Sequence, residues 1–396
     1  MVVQVSRADV IAFRLAAHHL TDRLDDQSLP AAAGVCGIQD SPPGSALLAL
    51  HARVRDLALD RLHRAVAEDK VLLQSWCMRG APYCFPTTDA PIFTAGVLPP
   101  TEQAMRQLIL GVGPAVDELG LTLTETVALL GSEIRAVLSG RRLAIDELGK
   151  ELAAAAIDKL PTRQRAIWIG EGPYAAGQAL GEAVVHFGLR ILTLQGVVCF
   201  APRTGNKAPF VLVDEWLGSP LPDVDPRTAR AELLRRYLHC YGPSTKADFA
   251  AWLGVRAGDA GPWWELVESE LTQVDVGRRA WVLTKDLAAL QSPPEPHGVR
   301  LLPPRDPYTQ LRDRETAVDK QHHREVWKSV GDPGTILVDG TIAGTWRPRK
   351  SGRHLTITVR PFDSLSDQDR SRLQAEAELI APLRGASSVE VTADLP

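Results

Sequence analysis

Along this chain the apolar positions switch repeatedly between a helical and a strand period, and the switches mark its organisation. Helical spacing predicts helices over residues 7–20, 46–66, within 101–138, and over 144–156 and 177–192. Strand-like alternation predicts hairpins over 71–86, 196–213 and 271–283, each after a helical stretch. The sharpest signal is Tyr237 to Gly254, where Gly242-Pro243 breaks one helix and Thr245, with Asp248 three residues on, begins another in a capping-box-like pattern. Phe249, Trp252 and Leu253 then fall on one helical face. Two helices joined by a tight turn and followed by the hairpin at 271–283 predict a winged helix.

The same theme of helices closed by an alternating hairpin is legible three times. It predicts an α+β chain of three tandem winged helices, at 1–115, 116–225 and 226–291, followed by a small β-rich module at 300–396. A Pro-rich stretch over 292–304 is the expected joint. Beyond it, 335–346 reads as two strands around Asp339-Gly340, 353–360 as a third, 367–383 as a helix and 388–392 as a last strand.

With 396 residues, 45% apolar and 23% charged, the chain can fill several ordinary globular cores. No apolar run is long enough to span a bilayer and the first residues lack the pattern of a secretory signal, so no membrane partner is expected and the cytoplasm is the expected compartment. The formal charge of −4 excludes a generally basic polyanion binder, so any nucleic-acid surface must be a local patch. Basic pairs on predicted turns supply candidates: Arg203 and Lys207, Arg278 and Arg279, and the group Arg347, Arg349, Lys350 and Arg353, with Arg141 and Arg142 before the second unit and Lys246 in the helix-turn-helix.

The five cysteines Cys36, Cys77, Cys84, Cys199 and Cys240 are scattered and never in a C-x-x-C spacing, which predicts buried thiols and neither a disulfide frame nor a structural zinc. His322-His323 with Asp319, and His18-His19, place adjacent imidazoles about 100° apart on a helix, so solvated faces are expected and no metal. Trp76, Trp252, Trp263 and Trp281 are expected in cores, with Trp264 the exception because its neighbour takes the buried place.

Tyr241-Gly-Pro-Ser-Thr-Lys-Ala-Asp-Phe-Ala-Ala-Trp-Leu-Gly254, Leu301-Leu-Pro-Pro-Arg-Asp-Pro-Tyr308 and Leu337-Val-Asp-Gly-Thr-Ile-Ala-Gly-Thr-Trp346 resemble segments of the AlkZ/YcaQ-like winged-helix DNA glycosylases, a bacterial family. The resemblance runs over most of the chain. It implies a cofactor-free enzyme that acts as a monomer on alkylated double-stranded DNA, on the nucleoid when bound. The family motif, a Gln, a usually apolar residue, then Gln or Asp, aligns with Gln39, Asp40 and Ser41 in Cys36-Gly-Ile-Gln-Asp-Ser-Pro-Pro-Gly44. An Asp fills the apolar place here and a Ser the second polar one.

The reaction so implied is hydrolysis of the N-glycosidic bond to a purine alkylated at N7. Gln39 could orient water through its carbonyl oxygen and Asp40 could stabilise positive charge and take a proton, provided the loop is irregular enough to aim adjacent side chains together. The competing assignment has Gln39 and Asp40 capping the helix that starts near Ser45. Ser41 has no His near it in sequence to activate it as a nucleophile, and no Lys flanks the motif to form a Schiff base, so a glycosylase here would be monofunctional. The rival from another class is a non-catalytic winged-helix protein, an adduct binder or a transcription regulator, with Ser41 recording lost chemistry; a third possibility is that the winged helices make only protein contacts.

Overall fold

The computed structural model describes residues 3–205 and 207–393. Helix and strand are mixed throughout, as expected. The described chain gathers into two compact units, each assembled from non-adjacent stretches: Met1–Leu62, Leu234–Phe249 and Val267–Pro396 in one, His63–Leu233 and Ala250–Leu266 in the other. No helix among the described residues is long and apolar enough to cross a membrane.

The first unit opens with strand Val3–Gln4 and helix Arg7–Ala17. A capping box starts that helix, with Ser6 Oγ accepting the Asp9 N–H at 3.1 Å while the Asp9 carboxylate accepts the Ser6 N–H at 3.3 Å. Val10 and Phe13 on its inner face pack with Val274, Val282 and Leu290. The predicted third hairpin forms as Leu271–Asp275 and Arg279–Leu283, with Leu271 opposite Leu283 and Asp275 opposite Arg279. Two partners of this hairpin were invisible in sequence. Val3–Gln4 adds to it as a parallel strand, and Ser244, in the turn between helices Pro226–Tyr241 and Lys246–Leu253, exchanges both backbone hydrogen bonds with Trp281 at 2.9 and 2.8 Å. The cap foreseen at Thr245 is present, its Oγ1 accepting the Asp248 N–H at 3.1 Å.

A five-stranded sheet completes this unit, in the order Ser388–Ala393, His354–Pro361, Thr341–Ser351, Gly334–Val338, Val299–Leu302. One face carries Trp346, Leu355, Ile357 and Val359 against Leu373, Ala377 and Ile380 of helix Asp367–Leu383. The Asp-Gly turn is as expected, with φ of 43° at Asp339 and 87° at Gly340. Two expectations are corrected. Val299–Leu302, inside the presumed Pro-rich joint, is a buried strand that pairs with Gly334–Val338, because its four side chains are all withdrawn from water. Thr341–Ser351 continues well past Trp346, so Arg347, Arg349 and Lys350 lie on a strand and only Arg353 on the turn.

In the second unit, helices Leu123–Leu138, Ile145–Ala156 and Leu180–Leu194 pack together. Leu180–Leu194 is apolar nearly all round, as a central helix must be. Gly181 lies under the Trp168 ring, whose Nε1 donates to Ala153 O at 2.9 Å. The hairpins foreseen separately at 71–86 and 196–213 are one sheet, because Gln74 of Leu72–Trp76 pairs with Phe200 of Val198–Phe200. Asn206, in the turn of the second hairpin, lies outside the described residues. Thr204 and Lys207, on either side of it, exchange backbone hydrogen bonds.

The long helix expected over 46–66 is instead two, Ser45–His51 and Arg61–Ala67. Val54 bridges to Leu24, and Asp56 turns with a positive φ of 51°, which ends helical continuity between them.

Candidate active site and nucleic-acid interface

The motif segment belongs to the first unit. Gln39 ends the short strand Ile38–Gln39 and is 3% exposed, Asp40 follows at 7%, and Ser41 is half-buried. Gly44, at a φ of 88°, precedes helix Ser45–His51 and has no side chain with which to cap it. Asp40 does so instead. Its Oδ1 accepts the N–H of Gly44 at 2.8 Å and of Ala46 at 3.2 Å, which ties the intervening loop back onto the strand. Capping by Asp40, one of the two assignments open in the sequence, is therefore what its carboxylate does here, and a buried carboxamide sits one residue before it.

The same helix is anchored at its other end. Arg53, just beyond it, makes a two-pronged ion pair with Asp306, both contacts 2.8 Å, and also donates to Ala49 O at 2.8 Å. The side chains are 1% and 0% exposed. Asp306, inside the 301–308 segment that carries part of the family resemblance, also accepts the N–H of Tyr308. A second buried arginine, Arg14, forks onto Asp313 at 2.8 and 3.0 Å and donates to the carbonyls of Gly242 and Pro243. Sequence reading passed over both arginines. An isolated Arg among apolar helical neighbours was the available signal, but its carboxylate lies over two hundred residues away.

Beside the motif, His18, Cys36 and Cys240 bring one ligand-type atom each to within 4.8 Å of one another, all buried. His18, expected on a solvated face, is 1% exposed because the C-terminus of helix Arg7–Ala17 turns it inward between Tyr241 and Tyr308. All five cysteines are buried free thiols. Burial opposes ionisation of Cys36, but the hydrogen bond with Cys240, then His18 and the Arg53 guanidinium, outweigh it and hold this thiol well below the ordinary range. Burial and the neighbouring Cys36 push Cys240 the other way. His322 and His323 assemble no such set: His322 stacks on Phe362 and bonds Glu325, and His323 faces the Val318 carbonyl.

The basic candidates fall into distinct groups. Arg141 forks onto Glu151 at 2.5 and 2.8 Å, and Arg278 pairs with Asp248 at 2.9 Å. Arg142 lies over the Trp216 ring at 5.3 Å. Arg203 and Lys207 rim a hollow floored by Trp76, Phe200 and Phe210. Lys246 opens its helix half-buried, and Arg279 is exposed on its strand. Arg347 and Arg349 stand opposite Thr358 and Thr356 on the sheet face away from helix Asp367–Leu383, whereas Lys350, opposite buried Leu355, belongs to the other face. Trp264, expected outside the core, is 7% exposed because the short helix Gly261–Trp264 turns both tryptophans inward.

The chain belongs to the AlkZ-like DNA glycosylase family, whose model matches residues 32–383. It is thus an enzyme, a DNA glycosylase, and its substrate is DNA. Among curated relatives, the interstrand DNA cross-link repair glycosylase of Streptomyces sahachiroi is 26% identical over 404 aligned positions, covering 98% of this chain and 99% of that protein. The solved structure of Streptomyces sahachiroi DNA glycosylase AlkZ superposes with a TM-score of 0.75 at 25% identity, over 99% of this chain and 100% of that one.

Proposed function

We propose that this glycosylase hydrolyses the N-glycosidic bond of purines alkylated at N7, as a monomer on double-stranded DNA, with Gln39 holding the attacking water. The observation that carries this reading is the buried Gln39 carboxamide at the end of its strand, followed by an aspartate anchored to the next helix. A carboxamide orients water through its oxygen but has no proton to offer a leaving group. It therefore suits a base that needs none. An N7-alkylated purine is already cationic: the C1′–N9 bonding pair passes to the base and neutralises it, the water oxygen bonds to C1′, and the water's proton goes to a nearby carboxylate, Asp40 being adjacent. The cross-link repair in the name of the Streptomyces relative extends the same step to a base tethered to both strands.

Phosphate contact is assigned first to Arg203, Lys207, Arg279, Arg347 and Arg349, with Lys246, Lys350 and Arg353 at the margins of the same surfaces. Arg141 and Arg278 would have to exchange a carboxylate for a phosphate, and Arg142 would have to leave its aromatic ring, so each offers less.

The test is base release from duplex DNA carrying one N7-alkylguanine, read by alkaline cleavage at the abasic site. Gln39→Ala is expected to lose about 10²–10⁴-fold in single-turnover rate with DNA affinity unchanged. Asp40→Asn keeps the capping oxygen and removes the charge, while Asp40→Ala removes both, so a deficit shared by the two belongs to the charge and one confined to Asp40→Ala belongs to the cap. Release no faster than the spontaneous rate, with DNA bound normally, overturns the N7 assignment.

A further inference from the structure

We propose that His18, Cys36 and Cys240 form a zinc site that clamps the motif segment to the two helices behind it. The three ligands come from three places: the C-terminus of helix Arg7–Ala17, the turn leading into Ile38–Gln39, and the penultimate position of helix Pro226–Tyr241. Their ligand atoms all lie within 4.8 Å, with His18 Nδ1 4.0 Å from Cys36 Sγ. Zinc bonds of about 2.0–2.3 Å require tetrahedral ligand atoms roughly 3.3–3.8 Å apart, so the His18–Cys36 pair needs to close by about half an ångström and the widest pair by about 1 Å, within reach of side-chain rotations.

Hydrogen bonding points the same way. His18 is 1% exposed, its Nε2 has no hydrogen-bond partner among the described residues, and its Nδ1 meets only the thiol at 4.0 Å. A metal bond at Nδ1, the nitrogen that faces the thiol, would satisfy that atom and leave the proton on Nε2. Besides their bond to each other, the two thiols meet oxygen atoms, Cys240 donating to Val35 O at 3.5 Å and Cys36 lying 3.7 Å from the Tyr241 hydroxyl. Tyr241 already donates to Pro307 O at 2.7 Å, so water is the natural fourth ligand.

Charge favours zinc in particular. Two thiolates and a neutral imidazole cancel the charge of a divalent ion, and a neutral cluster can stay buried where an isolated charge cannot. Thiolate and imidazole donors select zinc over magnesium or calcium, and three donors are too few to hold an iron–sulfur cluster by protein ligands alone. Loading releases to solvent the thiol protons still bound and leaves every oxidation state unchanged. Cys36 stands three residues before Gln39, so the ion would fix the approach to the motif from below without touching the reacting atoms.

The full-length protein, purified without chelators from zinc-supplemented culture, should hold about one zinc per chain by mass spectrometry. After chelation and reloading with cobalt(II), it should show near-ultraviolet thiolate-to-cobalt charge transfer and the visible bands of a tetrahedral site. Cys36→Ser or Cys240→Ser should cut the charge-transfer band by about half and weaken metal retention at least tenfold, and His18→Asn should shift the visible bands while keeping both thiolates. Should a Ser variant fail to fold, the parent's stoichiometry and cobalt spectrum decide alone. Less than about a tenth of a zinc per chain overturns the site, whether the five thiols titrate free or two are lost to a Cys36–Cys240 disulfide.

Discussion

Arg53→Met should be among the most destabilising single changes in the first unit. The substitution keeps an unbranched apolar stem and removes the guanidinium, leaving Asp306 with its charge, the Tyr308 N–H as a remaining donor, and no measurable exposure. Removing one partner of a buried ion pair typically costs about 3–5 kcal/mol, most of it for the stranded charge. For a unit of this size that corresponds to a fall of about 6–20 °C in melting temperature. Arg53→Met combined with Asp306→Leu should recover much of the loss, since no charge is stranded. The deficit that remains, about 1 kcal/mol, reflects the lost bonds to Ala49 and Tyr308. Thermal unfolding by circular dichroism and calorimetry on the parent, both single variants and the double variant reads the coupling directly. A melting point for Arg53→Met within 2 °C of the parent, taking about 0.5 kcal/mol as the limit for a surface change, would refute the reasoning. So would a double variant that loses as much as the two singles together.

In the second unit, Gly181→Ala places a methyl 2.4 Å from the Trp168 ring and should cost about 1–3 kcal/mol. Gly258→Ala, with nothing within 4 Å of the new carbon, should melt within a degree or two of the parent and serves as the control. Burial alone would raise the Glu376 carboxyl, but the His51 ring 3.6 Å away, the Arg23 guanidinium that donates to it at 2.5 Å and the charge of Arg300 win and hold it below the usual range. Its folded value is depressed, so its contribution is full above the unfolded value of about 4.3 and is lost as pH falls through the folded one. The stability gap between parent and Glu376→Gln in urea melts should therefore narrow below about pH 4, and a gap constant from pH 3 to 7 would count against the contact. Arg347→Ala and Arg349→Ala should each weaken DNA binding alike for all sequences and reduce the slope of log K against log salt by about 0.9. An unchanged slope removes that sheet face from the interface.

Local signals carried far into this fold. The Thr245–Asp248 cap, the Asp339-Gly340 turn and the hairpin around Gly277 are decided within a few residues by donor and acceptor spacing and by allowed φ, so each is legible in the order of residues alone. Gln39 and Asp40 were legible as a motif through resemblance, and the alternative roles of Asp40 could be stated from composition of the loop alone. Which atom Asp40 faces could not. Its aim depends on how the chain from Ser41 to Gly44 turns back, and that is settled by two backbone N–H groups that must be satisfied at a helix end whose own cap residue is a glycine.

The misses share one physical origin. Regular spacing encodes the face a side chain shows, but not what lies across from it. Thus Val299–Leu302 read as a proline-flanked joint until a strand from residues 334–338 gave its backbone a partner. His18 read as a solvated residue until the helix end carried it between two tyrosines. Cysteines 204 residues apart read as unrelated thiols, yet packing brings them to one imidazole. The sequence alone determined many of the elements with their local caps and turns, and the family resemblance that singles out Gln39. Only tertiary structure decided the buried pairings of Arg53 with Asp306 and of Cys36 with Cys240, because the cost of burying a charge or thiol without a partner is met by residues that close from far along the chain.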